Sequence, residues 1–151
     1  MPAKAIPDGY HTITPYLIVQ GAAKTIDFAR KAFGAELVHE PMTMPDGRIM
    51  HAEMKIGDSR IMLSDAGDRH PPMPSMLHVY VPNVDAVYQK ALKAGGASTM
   101  EPTDMFYGDR GASVKDPAGI AWYMATHTED VPMPELEKRA RKHMDEMTKT
   151  H

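Results

Sequence analysis

Residues 51 to 57 read HAEMKIG, and in an alternating strand His51 and Glu53 fall on one face. A second histidine, His78, stands between Leu77 and Val79, on the same strand face as Tyr80. Two imidazoles and one carboxylate form a recognised ligand set for a divalent metal. The same groups also serve as proton donors and acceptors. Spacing alone does not force these strands together, and each residue has a plainer reading. His51 can be exposed, Glu53 can be a surface carboxylate, and His78 can be a half-buried histidine with its hydrogen bonds satisfied.

The stretch DMFYGDRGASVKDPAGIAWYMATH, residues 104 to 127, gathers a second group. Asp109 and Arg110 are neighbours, so in a strand their side chains diverge and each needs its own partner. The Arg110 fork either grips a substrate carboxylate or phosphate or pairs with a structural Asp or Glu. Asp116, Pro117 and Gly119 are turn chemistry, because Asp bonds its own backbone and Pro presets φ. Tyr16, Tyr80, Trp122 and Tyr123 either pack internally or form the wall of a ligand pocket.

Other chemistries are excluded. The chain of 151 residues has no cysteine, which removes disulfides, thiolate nucleophiles and cysteine metal sites. There is no Walker loop, dinucleotide fingerprint, HExxH or GxSxG pattern. A net charge of -3 gives no nucleic-acid surface. No apolar run approaches the roughly 20 residues that span a membrane. The opening MPAKAIPDGY lacks the apolar core of a secretory signal, so a cytoplasmic protein is expected.

The elements that must position these residues repeat. TITPYLIV, residues 12 to 19, reads as a strand, with Pro15 suited to its start or to an edge. AAKTIDFARKAFGAE follows as a helix with an apolar stripe of Ile26, Ala29, Ala32 and Phe33, stopped by Gly34. LHVYV and NVDAVYQKALKAGGA repeat that order. A shift of 62 positions lays Val19 on Val81, Gly34 on Gly96 and, carried on without a gap, Gly57 on Gly119. Each copy reads strand, helix, then about three strands, and neither buries its sheet face alone. The expected fold is α+β: tandem βαβββ modules, about 8–66 and 77–128, forming a curved mixed sheet trough. SDAGDRHPPMPS, residues 64 to 75, reads as the linker between them. Residues 131 to 151 read as a C-terminal helical tail whose stripe of Leu136, Ala140, Met144 and Met147 packs on its own domain or on a second subunit.

This duplicated unit, with GYHTITPYLIV, MPDGRIMHAEMKIGDSRIMLSD, LHVYV and the FYGDR, DPAG and ATH elements, resembles the vicinal oxygen chelate superfamily over residues 8 to 130. More narrowly, it looks like the PhnB-type branch of glyoxalase-like proteins. The resemblance implies a divalent metal, Zn, Ni, Mn or Fe, on ligand positions that fall here on Thr14, Glu53, Met76 and Tyr123. Only Glu53 of these is a good ligand. His51 and His78 share faces with the family positions, which makes His51, Glu53 and His78 the candidate metal set and Glu53 and His78 the candidate catalytic pair. Tyr16, Tyr80, Arg110, Trp122 and Tyr123 are the candidate substrate-binding residues. Two readings follow: a metal-dependent lyase or isomerase on a small oxygen-rich substrate, or a metal-free small-molecule or drug-binding protein of the bleomycin-resistance type. By the same analogy the expected partners are a small-molecule ligand and a second copy of the chain.

Overall fold

The computed structural model describes residues 2–149. The first half runs β1 (Tyr16–Val19), α1 (Ala22–Phe33), β2 (Glu36–Leu37), β3 (Met42–Thr43), β4 (Ile49–Ile56) and β5 (Ser59–Asp65). The second runs β6 (Met76–Tyr80), α2 (Val84–Lys93), β7 (Ala97–Asp104), β8 (Asp109–Lys115) and β9 (Ala121–His127). A last helix, α3, spans Met133–Lys149; the final two residues of the expected tail, 150 and 151, lie outside the described residues.

Both sheets place the first strand beside the last. The orders are β1-β5-β4-β2, with β3 pairing β4, and β6-β9-β8-β7. The first and last strands run parallel in each sheet, and the hairpin neighbours run antiparallel. The helix and the intervening strands together form the long connection that a parallel return from first to last strand needs. The fold is therefore the α+β arrangement of two mixed sheets with a C-terminal helix, and the sheets do not close on each other.

Strand alternation sorts the residues. Leu17, Val19, Ala52, Met54, Ile61 and Leu63 in the first sheet, and Ala112, Val114, Trp122 and Met124 in the second, turn toward the helices and are buried. The helices meet each other across this core. Phe28 and Phe33 of α1 pack on Trp122 of β9, with ring centroids 5.9 Å and 5.0 Å away. Burying one such ring contributes about 2–3 kcal/mol. Thr25 of α1 adds a polar tie to the second half by donating to Asp116 Oδ2 at 3.0 Å.

Asp116 is the hub of the DPAG turn. Its Oδ1 accepts from the N–H groups of Ala118 and Ile120, and its Oδ2 also accepts from Trp122 Nε1 at 3.0 Å. The turn chemistry read from sequence thus carries a joint between the halves.

The strand expected over 12–19 forms ladder pairs only from Tyr16, with the Pro15 carbonyl accepting from Met62 N–H just before it. Ser64 and Asp65, expected in the linker, end β5 instead. Asp65 accepts from the N–H groups of Gly21 and Ala22, capping α1 from across the sheet, and from that of Ile49. In the second half Thr126 Oγ1 accepts from Val84 N–H and caps α2 in the same way.

The gapless overlay does not survive along the whole chain. Tyr16 lies beside Met62 and His78 beside Tyr123, while Glu53 faces Met62 and Ser113 faces Tyr123. Equivalent residues are therefore 62 apart in the first strands, 61 in the last and 60 in the third. The second half has two fewer residues between its helix and third strand, which takes the offset from 62 to 60, and one more residue in its turn, where Lys115 pairs Ala121 while Lys55 pairs Arg60, returns it to 61.

Candidate functional site

The sheet faces turned away from the helices carry two separate polar clusters. The first stands on β4. His51 and Glu53 project from one face of the strand, and the Glu53 carbonyl accepts from Val38 N–H, which fixes the chain leaving β2. That path delivers His39, whose Nε2 lies 2.7 Å from Glu53 Oε2. His51 Nε2 lies 3.8 Å from Glu53 Oε1, and its Nδ1 lies 3.1 Å from the Tyr16 hydroxyl. The His39 and His51 rings stack with centroids 6.2 Å apart. From the N-terminal segment, Tyr10 donates its hydroxyl to Glu53 Oε1.

The electrostatics suit an ionised carboxylate. Burial alone would push the Glu53 carboxyl up, but bonds from Tyr10 and His39 and the nearby histidine charges outweigh it and hold the group below its ordinary value. His39 is raised by its bond to the Glu40 carbonyl and then by Glu53. Tyr10 is raised by burial and then by the same carboxylate. Each of His39, His51 and Glu53 offers a ligand atom, all within 4.8 Å of one another. The donor set fits a divalent transition metal.

The second cluster lies on β6, β8 and β9. His78 stacks on Tyr123 with centroids 4.8 Å apart and planes at 22°, and it lies 4.8 Å from the Tyr80 ring. Tyr107 and Tyr123 share a hydrogen bond of 3.0 Å. Burial, then Tyr107, pushes the Tyr123 phenol well above its ordinary value. Tyr80 donates to Asp109 Oδ2, while Asp109 Oδ1 meets His127 Nδ1 at 2.7 Å and His127 Nε2 meets Asp130 at 2.7 Å.

Against the sequence reading, the structure joins His51 and Glu53 and adds His39, while His78 stands on the other sheet. Among the described residues no hydrogen bond or ion pair joins His78 to Glu53. Thr14 lies just before β1, and Met76 begins β6 with an exposed side chain. Glu53 finds Ser113 at its structural counterpart, so the second half has no matching carboxylate. Tyr16, Tyr80 and Tyr123 line the open faces. Trp122 does not: it is fully buried in the core with its indole on Asp116, because it points opposite to its neighbour Tyr123. Arg110 is saturated by Asp85 at 2.8 Å and 3.0 Å and by Asp104 at 3.2 Å, the structural pairing that was one of its two readings. His39, Tyr10 and Arg60 had no periodic signal, since two sit in loops and the third beside a turn.

Residues 9–124 match the Glyoxalase/Bleomycin resistance protein/Dioxygenase superfamily. The chain is 36% identical over 137 residues to the uncharacterized protein Mb0911c of Mycobacterium bovis, covering 83% of this chain and 89% of that one. It is equally similar to the uncharacterized protein Rv0887c of Mycobacterium tuberculosis, covering 79% of that relative. In fold it is similar to TioX from Micromonospora sp. ML1, with TM-score 0.66, 21% identity and coverage of 78% and 98% of the two chains. It is also similar to the PhnB protein of Bacillus cereus, described as a putative 3-demethylubiquinone-9 3-methyltransferase, with TM-score 0.62, 21% identity and coverage of 77% and 99%. With its duplicated strand-helix-strand order and a family match over most of its length, the chain belongs to the glyoxalase/bleomycin resistance protein/dioxygenase superfamily.

Proposed function

We propose that this protein is a metal-dependent lyase or isomerase acting on a small oxygen-rich substrate. The observation that carries the reading is the half-buried His39–His51–Glu53 donor set on the open face of the first sheet. A divalent metal held by these three residues would supply Lewis-acid polarisation of a substrate oxygen. Glu53 stays ionised at neutral pH and is the group suited to hold a cation or accept a proton. Tyr16, bonded to His51, orients that imidazole as a neighbouring hydroxyl should. His78 and Tyr123 belong to the substrate-facing wall of the other sheet.

The two clusters stand on separate sheets, and among the described residues β6 pairs with β9 alone, so its outer edge is open to pairing. A homodimer that brings one protomer's first sheet to its partner's second would put them in one trough. The same reading places the protein in the cytoplasm; no helix of the described residues is long and apolar enough to cross a membrane.

The test is metal loading of purified full-length protein with Zn²⁺, Ni²⁺ or Mn²⁺, followed by metal analysis. One ion per chain is expected, with loss in His39→Ala and in Glu53→Gln. No stoichiometric metal with any of the three, or undiminished loading in Glu53→Gln, refutes it. A second reading, a metal-free binder of the bleomycin-resistance type, is favoured by Thr14, Met76 and Tyr123 at family ligand positions and by the stacked wall of His78 and Tyr123. Failure of metal loading together with tight binding of an aromatic ligand would select it.

A further inference from the structure

Arg60 stands on β5 opposite Lys55, next to the Glu53–Met62 pair. Its guanidinium carbon lies 4.7 Å from the centre of the Tyr10 ring, and the backbone of Gly9 presses against the same group. A side-chain carbon at residue 9 would collide with it. The guanidinium is thus held in place rather than swinging in solvent. Arg60 Nε is buried and has no hydrogen-bond partner among the described residues. Among the described residues no carboxylate pairs with Arg60, whereas Arg48, Arg110 and Arg139 each hold one. A fixed, half-buried cation with no counter-ion among the described residues is arranged to receive an anion on its guanidinium.

The space beside it has the right character. Arg60 lines a cavity of about 600 Å³ between the β4–β5 hairpin, the segment before β1 and β6. That is within the size range of small-molecule sites, about 300–1,000 Å³. Phe33, Ile56, Leu77 and Val79 supply apolar walls. His78 and Tyr80 of the second cluster also line it, so it opens onto the aromatic face already described. The nearest acidic lining residue, Asp58, is exposed and accepts the Ser59 hydroxyl at 2.9 Å.

We propose that this cavity binds an amphiphilic organic anion, with a carboxylate or phosphate-type group on Arg60 and an apolar body against Phe33, Leu77 and Val79. The site stands without a metal and under either reading of the function. Tyr10 touches both Arg60 and Glu53 and so links the anion-binding guanidinium to the donor set, whose own residues do not line the cavity.

The test uses metal-free, full-length protein and three probes of one size: phenylacetate, phenylphosphonate and neutral phenylacetamide, followed by calorimetry. At least one anion should bind about tenfold or more tightly than phenylacetamide, as a charge-assisted bond implies. The two anionic arms tell a carboxylate site from a phosphate-type one. Arg60→Gln should abolish the preference, and Arg110→Gln should leave it intact. As a check that does not depend on a variant folding, the ring proton signals of His78 and Tyr80 in wild-type protein should shift on adding the tighter anion. Phenylacetamide binding as tightly as both anions, an unchanged preference in folded Arg60→Gln, or unmoved ring signals would each overturn the proposal. Because the protein is stripped of metal, none of these outcomes depends on the metal reading.

Discussion

Replacing Asp116 by Asn tests whether the DPAG turn is a joint between the halves. The side chain is 5% exposed and accepts four hydrogen bonds, two from backbone and two from Thr25 and Trp122. An amide turns one oxygen into a donor. If the NH₂ faces Thr25 and Trp122, the Thr25 hydroxyl can rotate to accept, but the indole N–H cannot and is orphaned. If it faces the backbone, both amides of Ala118 and Ile120 are orphaned. The first arrangement is cheaper. One orphaned buried donor costs about 1–3 kcal/mol, and the remaining bonds lose the strength that a charged acceptor gave them. Relief from burying a charge works in the other direction. The net expectation is a loss of about 2–4 kcal/mol, or a fall in Tm of roughly 5–15 °C for a chain of this size. Urea unfolding followed by fluorescence is the assay, because Trp122 is the single tryptophan and touches the altered group. A variant within about 0.5 kcal/mol of wild type, in the range of ordinary surface changes, would refute the reasoning.

Other outcomes follow from the same geometry. Metal affinity should rise with pH through 6.5 and on toward the raised value of His39, because a bound metal must displace its proton; equal Zn²⁺ affinity at pH 5.5 and pH 8 would contradict this. Without metal, the His39–Glu53 contact stabilises most between 4.5 and 6.5: the Glu53 share is lost as pH falls through its lowered value, and the His39 share as pH rises through its raised one, which urea midpoints across pH will show. Gly108→Ala should free the segment leading to α3, since φ is +100° and an added carbon would strike the Glu129 carbonyl; faster proteolysis after residue 127 is the readout. Arg110→Ala should cost less than about 1 kcal/mol in urea unfolding, as Asp85 and Asp104 are its exposed partners.

What could be read in the sequence was what strand and helix periodicity transmit locally. His51 and Glu53 share a face because they are two apart on one strand, and Asp109 and Arg110 find different partners because they are one apart. The same rule, applied to Trp122 beside Tyr123, separates a core residue from a wall residue once the buried face is known; composition alone could not choose the face. His39 and Tyr10 were not legible. Both reach Glu53 along loops whose course is set by pairing of distant strands, and no local pattern encodes that course. The repeat located the first strands and helices correctly, but the second half is two residues shorter ahead of its third strand, which puts Ser113 and not a carboxylate in the place of Glu53, and one extra residue in its hairpin turn then offsets the last strand again.

The remote caps on α1 and α2 bear on how such a chain is made. Asp65 lies 43 positions beyond Ala22, and Thr126 lies 42 beyond Val84. As the polypeptide leaves the ribosome, the start of α1 waits for a side chain that emerges only with the closing strand, whereas α2 also carries a local cap, Asn83 Oδ1 accepting from the Ala86 N–H. A first-half fragment cut short of Asp65 should therefore stay frayed at the start of α1, and the smallest self-sufficient piece on that side of the molecule is the complete half.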